Sequence, residues 1–72
     1  MAHRMEMRRE WLDDFLRENY LKAFDIDLSR LFYQRSGYLV SKRMIQRRRL
    51  ELRLLRPWDN VLKLKAEARG RG

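Results

Sequence analysis

The sequence of 72 residues contains no cysteine, one histidine, one proline and three glycines. Without cysteine the chain can form neither a disulfide nor a thiolate metal site, and His3 alone cannot hold a metal ion. No nucleophile–base pair and no glycine-rich phosphate loop is recognisable. We therefore predict a protein that is not an enzyme, with no catalytic residue, no metal and no cofactor.

Long apolar runs are also missing. No apolar run exceeds three residues, whereas a transmembrane helix needs ~20. The N-terminal sequence MAHRMEMRREW has early acidic residues and no apolar segment, so it is typical of neither a secretory signal nor a transit peptide. We expect an intracellular protein without a membrane span, located in the mitochondrial matrix or another organelle, or otherwise in the cytoplasm.

Acidic residues are scarce only in the second half of the chain. Residues 1–36 carry seven basic and seven acidic residues, and residues 37–72 carry eleven and three, so the net charge of +8 lies in the second half. Eight of those eleven basic residues are arginine, whose planar fork binds phosphate at two points. We predict a neutral helical half at 1–36 that docks on protein, and a basic helical half at 37–72, with a loose C-terminal tail, that meets a polyanion.

The chain is small for a self-supporting fold. A domain of this length buries only ~60% of the surface that its unfolded chain exposes. The composition is 44% apolar and 39% charged, and the aromatic residues are dispersed along the chain. We expect an all-α fold of three to four short helices, extended or loosely packed rather than a self-sufficient globule, that is completed by a larger partner.

Apolar spacing and breakers predict the first two helices. The first covers about residues 5–24. The second begins after Asp25 or Asp27 as N-cap and stops at Gly37, which suits a left-handed position. Seven apolar side chains of the chain are predicted to dock on protein: Trp11, Leu12, Phe15, Leu16, Phe24, Phe32 and Trp58.

The third and fourth helices are predicted on either side of Pro57. The third runs from about Tyr38 or Ser41, with Ser41 a candidate N-cap, to Leu55, since a proline disfavours helix at the residue before it. The fourth runs to Ala68 and has two compatible starts, Pro57 as the first helical residue or Asp59 as the N-cap. The sequence LELRL at 50–54 alternates with a period of two, which leaves a strand as the alternative.

On the third helix, the basic residues are predicted to form an anion-binding surface. Lys42, Gln46, Arg49, Arg53 and Arg56 follow spacings that place them in one line, with Met44, Ile45, Leu52 and Leu55 roughly opposite. Arg48 falls inside the apolar sector, where its stem snorkels, its head meets an anion in a packed interface, or it pairs with an acid from the first helix. The predicted anion-binding residues are Lys42, Arg43, Arg47, Arg48, Arg49, Arg53 and Arg56.

These observations favour a small non-catalytic subunit of a large assembly. The leading prediction is an RNA-binding structural component of a ribosome or organellar ribosome. One alternative is an accessory subunit of an organellar protein complex, such as the soluble arm of a membrane respiratory complex, with acidic subunits or anionic headgroups as partners. A small DNA-binding regulatory protein is the other, although no helix-turn-helix or RNA-binding signature is recognisable in the sequence.

Overall fold

The structure is a computed structural model that describes residues 8–70. These residues form four α-helices, which are α1 Arg9–Asn19, α2 Asp25–Ser36, α3 Lys42–Glu51 and α4 Trp58–Gly70. The prediction of an all-α chain of short helices is confirmed. No strand occurs between residues 8 and 70, so the alternative of a strand at 50–54 is wrong. His3 and the predicted helical residues 5–7 lie outside the described residues.

Helices α1, α2 and α3 pack around one apolar core. Their best-packed aromatic pair is Phe15 and Phe32, whose ring centroids lie 5.1 Å apart. The radius of gyration is 13.3 Å, nearer to the ~11 Å of a globular domain of this size than to the ~24 Å of an unfolded chain. The chain is therefore nearer to a compact globule than to the extended or loosely packed arrangement that the sequence predicts. The buried core residues are Leu12, Phe15, Leu16, Leu28, Phe32, Val40 and Ile45.

Helix α1 ends five residues earlier than the predicted end at residue 24. The side chain of Asn19 is buried and its Nδ2 donates a 2.8 Å hydrogen bond to the carbonyl of Phe15. Residues 20–24 then form a turn, in which the backbone N–H of Lys22 donates to the carbonyl of Asn19. The apolar residues after 19 therefore belong to a connection and not to a helical face.

Helix α2 and helix α3 are joined by a short, well-anchored connection. Gly37 adopts a left-handed conformation (φ 79°) and its N–H donates to the carbonyl of Tyr33, as predicted for a helix stop. Ser29 Oγ donates to the carbonyl of buried Val40. Ser41 is the N-cap of α3, because its side chain accepts a hydrogen bond from the N–H of Met44. The residue before the cap of α3 is thus bound to α2 through Ser29, and the first turn of α3 is capped by Ser41.

The predicted N-cap of α2 is wrong in its detail. Phe24 occupies the cap position and makes no side-chain cap hydrogen bond, while Asp25 is the first helical residue and is buried. The Asp25 carboxylate therefore points inward, to partners described below.

Helix α3 ends at Glu51 rather than at the predicted Leu55. Arg53 adopts a left-handed backbone conformation (φ 58°). Its N–H donates to the carbonyl of Leu50, and the N–H of Leu54 donates to the carbonyl of Arg49. This pair of hydrogen bonds defines a Schellman motif, in which the left-handed residue is normally glycine. The chain then extends to Pro57, directly before α4.

Helix α4 begins one residue after Pro57, close to the predicted start. The close helix-to-helix packing within residues 8–70 involves α1, α2 and α3 only. Helix α4 is held through Asn60, whose Nδ2 donates a 2.7 Å hydrogen bond to the carbonyl of Leu21. It leaves the exposed face of α3 uncovered.

Candidate nucleic-acid interface

Arg49 is buried in an ion pair with Asp25. Its Nε and Nη2 donate to the two carboxylate oxygens of Asp25 at 3.0 and 3.2 Å. Its remaining terminal nitrogen, Nη1, donates to the carbonyl of Leu54 at 2.8 Å. Both side chains of the pair are 10% exposed. Arg49 therefore joins α2 to the end of α3 and is not available to an external anion.

Arg56 joins the same carboxylate from the connection between α3 and α4. Its Nη2 donates to Asp25 Oδ1 at 2.9 Å and to the carbonyl of Ala23 at 2.8 Å. Its Nε donates to the carbonyl of Tyr20 at 2.8 Å, and its guanidinium lies 5.7 Å from the centre of the Phe24 ring. Arg56 thus provides hydrogen-bond donors for two backbone carbonyls, those of Tyr20 and Ala23, in the connection that follows α1.

Asp25 is the centre of this arrangement. Burial alone raises the pKa of its carboxyl, but the hydrogen bonds and charges of Arg49 and Arg56 outweigh that effect and hold the pKa below its ordinary value. The carboxylate is therefore ionised at neutral pH. We call Asp25, Arg49 and Arg56 the Asp25 network.

Arg48 forms a second ion pair, with Asp13 of α1. Its Nε and Nη2 donate to the two carboxylate oxygens at 2.6 and 2.7 Å. The hydrogen bonds from Arg48 lower the pKa of Asp13, and the same contact raises the pKa of Arg48. Of the three interpretations left open for Arg48, the structure has the ion pair with an acid of the first helix.

The predicted basic line on α3 is therefore not one surface. Arg49 points into the protein, and Arg53 and Arg56 lie beyond the end of the helix. Arg48, Arg49 and Arg56 are occupied by internal carboxylates and carbonyls, so we no longer assign them to an external anion. Hydrophobic patterning placed Arg48 in the apolar sector, but it put Arg49 and Arg56 in the line opposite the apolar residues.

The remaining predicted residues of α3 lie on its exposed face. Ile45 and Arg49 define the buried side of the helix, and Arg43 and Arg47 lie opposite, one turn apart. Within residues 8–70, neither Arg43 nor Arg47 has a carboxylate within ion-pairing distance, and the same holds for Lys42. We call the exposed residues Lys42, Arg43, Gln46 and Arg47 the basic strip.

Helix α1 extends this surface. Arg9 and Arg47 line the same open groove of about 430 Å³ between the start of α1 and α3. Arg48, already paired with Asp13, forms part of its floor, and Glu51 is its acidic residue. Arg9 is exposed and was not among the predicted residues. Sequence reasoning missed it because α1 belongs to the neutral half of the chain.

The predicted protein-docking residues divide into two groups. Four of them are buried in the protein's own core, namely Leu12, Phe15, Leu16 and Phe32. The other three are not in the core. Trp11 is half-buried and packs near Tyr38, Phe24 is half-buried beneath Arg56, and Trp58 is 66% exposed.

Two further findings concern the described part of the chain. Residues 8–70 contain no group of three or more side chains that could hold a metal ion. None of the four helices is long and apolar enough to cross a membrane.

No protein-family model, no curated protein and no solved structure matches this chain. The chemistry of its own side chains is therefore what a functional proposal can rest on.

Proposed function

We propose that this protein is a non-catalytic nucleic-acid-binding protein whose interface is the basic strip of α3, extended by Arg9. One observation carries the proposal. Arg43 and Arg47 share the exposed side of a helix that buried contacts hold in place, and Lys42 is exposed in the first turn of the same helix. No carboxylate of residues 8–70 neutralises these three side chains. By contrast, Arg48, Arg49 and Arg56 are paired with carboxylates inside the protein.

The expected affinity is electrostatic and therefore depends on salt. If the three basic residues of the strip and Arg9 each neutralise one phosphate, the slope of log K against log salt is about −3.6 on duplex DNA and about −2.8 on a single strand. Raising the salt from about 50 to about 200 mM then weakens duplex binding about 150-fold. A protein that binds through hydrophobic contacts would not show this dependence.

The experiment measures binding of the full chain to labelled duplex DNA and to a labelled RNA hairpin by fluorescence anisotropy over a salt series. Arg43→Ala combined with Arg47→Ala is expected to reduce the magnitude of the duplex slope by about 1.8. The matched control is Arg30→Ala with Lys63→Ala, which removes the same charge from exposed positions on α2 and α4. No binding to either nucleic acid in low salt, or an equal loss in the control, would contradict the proposal.

A second candidate is a structural subunit of a ribonucleoprotein, such as a ribosome or organellar ribosome. It is favoured by apolar side chains that stay exposed away from the basic strip, namely Leu39 (80%), Leu55 (63%) and Trp58 (66%). Such side chains become buried when a small protein is enclosed by larger partners. Release of the tagged protein from a cell extract by ribonuclease would support this candidate. Retention with membrane subunits after ribonuclease would instead favour an accessory subunit of an organellar membrane complex.

A further inference from the structure

We infer that α2 and α3 form a helix-turn-helix unit, and that α3 enters the major groove of duplex DNA and contacts base edges there. This inference rests on the proposed function and names its ligand. Three features of α3 support it: its anchoring to α2, the side chains on its exposed face, and the absence of aromatic residues within the helix.

The connection between α2 and α3 holds α3 in place. Gly37 ends α2 in a left-handed conformation, and Ser41 caps α3 four residues later. Ser29 of α2 holds the carbonyl of Val40 between them. A short turn that contains glycine, between two packed helices, is a common feature of the helix-turn-helix motif. The connection of residues 37–41 is slightly longer than the usual turn of about 3–4 residues.

The side of α3 that faces solvent is the side that a recognition helix needs. Ile45 and Arg49 hold the opposite side against the core and Asp25. Arg43, Arg47 and Leu50 follow each other at i, i+4 and i+7 and are all exposed. They span about 10 Å along the helix axis, which matches about three base pairs of duplex DNA. An α-helix with its side chains, ~10–12 Å across, fits a major groove ~12 Å wide.

The side chains on this face match the chemistry of base edges. Arginine donates two hydrogen bonds to the O6 and N7 of guanine, and glutamine pairs in the same way with adenine. Arg43 and Arg47 can supply the first contact and Gln46 the second. Leu50, which is 48% exposed, offers an apolar contact to a thymine methyl group. Lys42 and Arg9, at the edges of this surface, are placed to contact phosphates.

The same face is poorly suited to RNA. The major groove of an A-form helix is too narrow and deep for a helix to read, and single-stranded RNA is held by stacking bases on aromatic side chains. Among residues 8–70, the aromatic side chains that are largely exposed are Tyr33 and Trp58, on α2 and α4. No aromatic residue occurs within α3. Duplex DNA is therefore the ligand that this surface fits.

The test is a selection of duplex DNA from a random library by the full chain, followed by affinity measurements. Probes are the selected duplex, a scrambled duplex, an RNA duplex and an RNA hairpin. The decisive variant is Arg47→Lys, which keeps the charge but loses the two-point fork. We expect the selected site to bind about tenfold or more weakly in this variant, with no change on the scrambled duplex. Arg30→Lys, at an exposed position of α2, is the matched control.

Three results would overturn the inference. If no motif is enriched, or if Arg47→Lys weakens both duplexes equally, the strip contacts phosphates only and the proposed function stands without base recognition. If RNA is bound and duplex DNA is not, the inference fails and the proposed function again stands. If no probe is bound in low salt, both fail.

Discussion

Replacing Asp25 by alanine should be the most damaging single change to a charged side chain in this protein. The change leaves the guanidinium groups of Arg49 and Arg56 buried without their carboxylate. Removing one partner of a buried ion pair costs about 3–5 kcal/mol, because the remaining charge stays desolvated and uncompensated. Here two arginines lose the same partner.

The expected loss is comparable with the whole stability of the domain. At roughly 0.05–0.15 kcal/mol per residue, the described part of the chain has a free energy of unfolding of about 3–9 kcal/mol. A loss of 3–5 kcal/mol corresponds to a decrease in Tm on the order of 12–40 °C for a domain of this size. Asp25→Ala is therefore expected to retain at most about 6 kcal/mol, and to be unfolded at room temperature if the parent protein lies at the lower end of its range.

Urea and thermal unfolding followed by circular dichroism measure this effect. Asp27→Ala is the matched control, because it removes a carboxylate from the same first turn of α2, and Asp27 forms no ion pair within residues 8–70. Asp27→Ala should lower the free energy of unfolding by about 0.3–1 kcal/mol, the usual contribution of an acid at a helix N-terminus. If Asp25→Ala unfolds within about 1 kcal/mol of the parent protein, buried-pair energetics do not describe this network and the reasoning is refuted.

Two further predictions concern the helix end and acid pH. Arg53→Gly should stabilise the protein by about 1 kcal/mol, because glycine adopts the left-handed conformation at φ 58° without the steric cost of a side chain; a lower urea midpoint than that of the parent would contradict it. The free energy of unfolding should be constant above about pH 5 and fall as the pH drops below about 4, since the folded pKa values of Asp13 and Asp25 are lowered and the unfolded chain takes up more protons there. Urea unfolding across this range checks it, and Asp25→Asn should remove part of the decrease.

The sequence was informative where local chemistry decides the structure. Gly37 and Ser41 were predicted as a helix stop and a helix start, and both roles are confirmed. Each follows from a preference of the residue itself, the left-handed conformation of glycine and the hydroxyl acceptor of serine. Helix α4 begins at Trp58, between the two starts predicted at Pro57 and Asp59.

Prediction failed where a contact between distant residues decides the structure. Arg49 and Asp25 are separated by 24 positions, and Arg56 reaches back 36 positions to Tyr20. No local pattern distinguishes these arginines from Arg43 or Arg47, so all were assigned to one external surface. The early end of α3 has a local cause that the sequence does not mark, because Arg53 and not glycine occupies the left-handed position. The chain is nevertheless compact, and internal ion pairs connect α3 with α1 and with α2.

Three consecutive arginines, 47, 48 and 49, show how one basic segment can supply both internal ion pairs and the proposed binding surface. Successive residues of a helix point about 100° apart, so Arg49 meets Asp25, Arg48 meets Asp13 and Arg47 faces solvent. The two inward arginines set the rotation of α3 about its own axis, which fixes the direction in which the third one points. Base recognition requires that direction to be constant, because two-point hydrogen bonds tolerate little misalignment. A loss of the internal pairs should therefore reduce specificity for a duplex sequence before it reduces the attraction to phosphate.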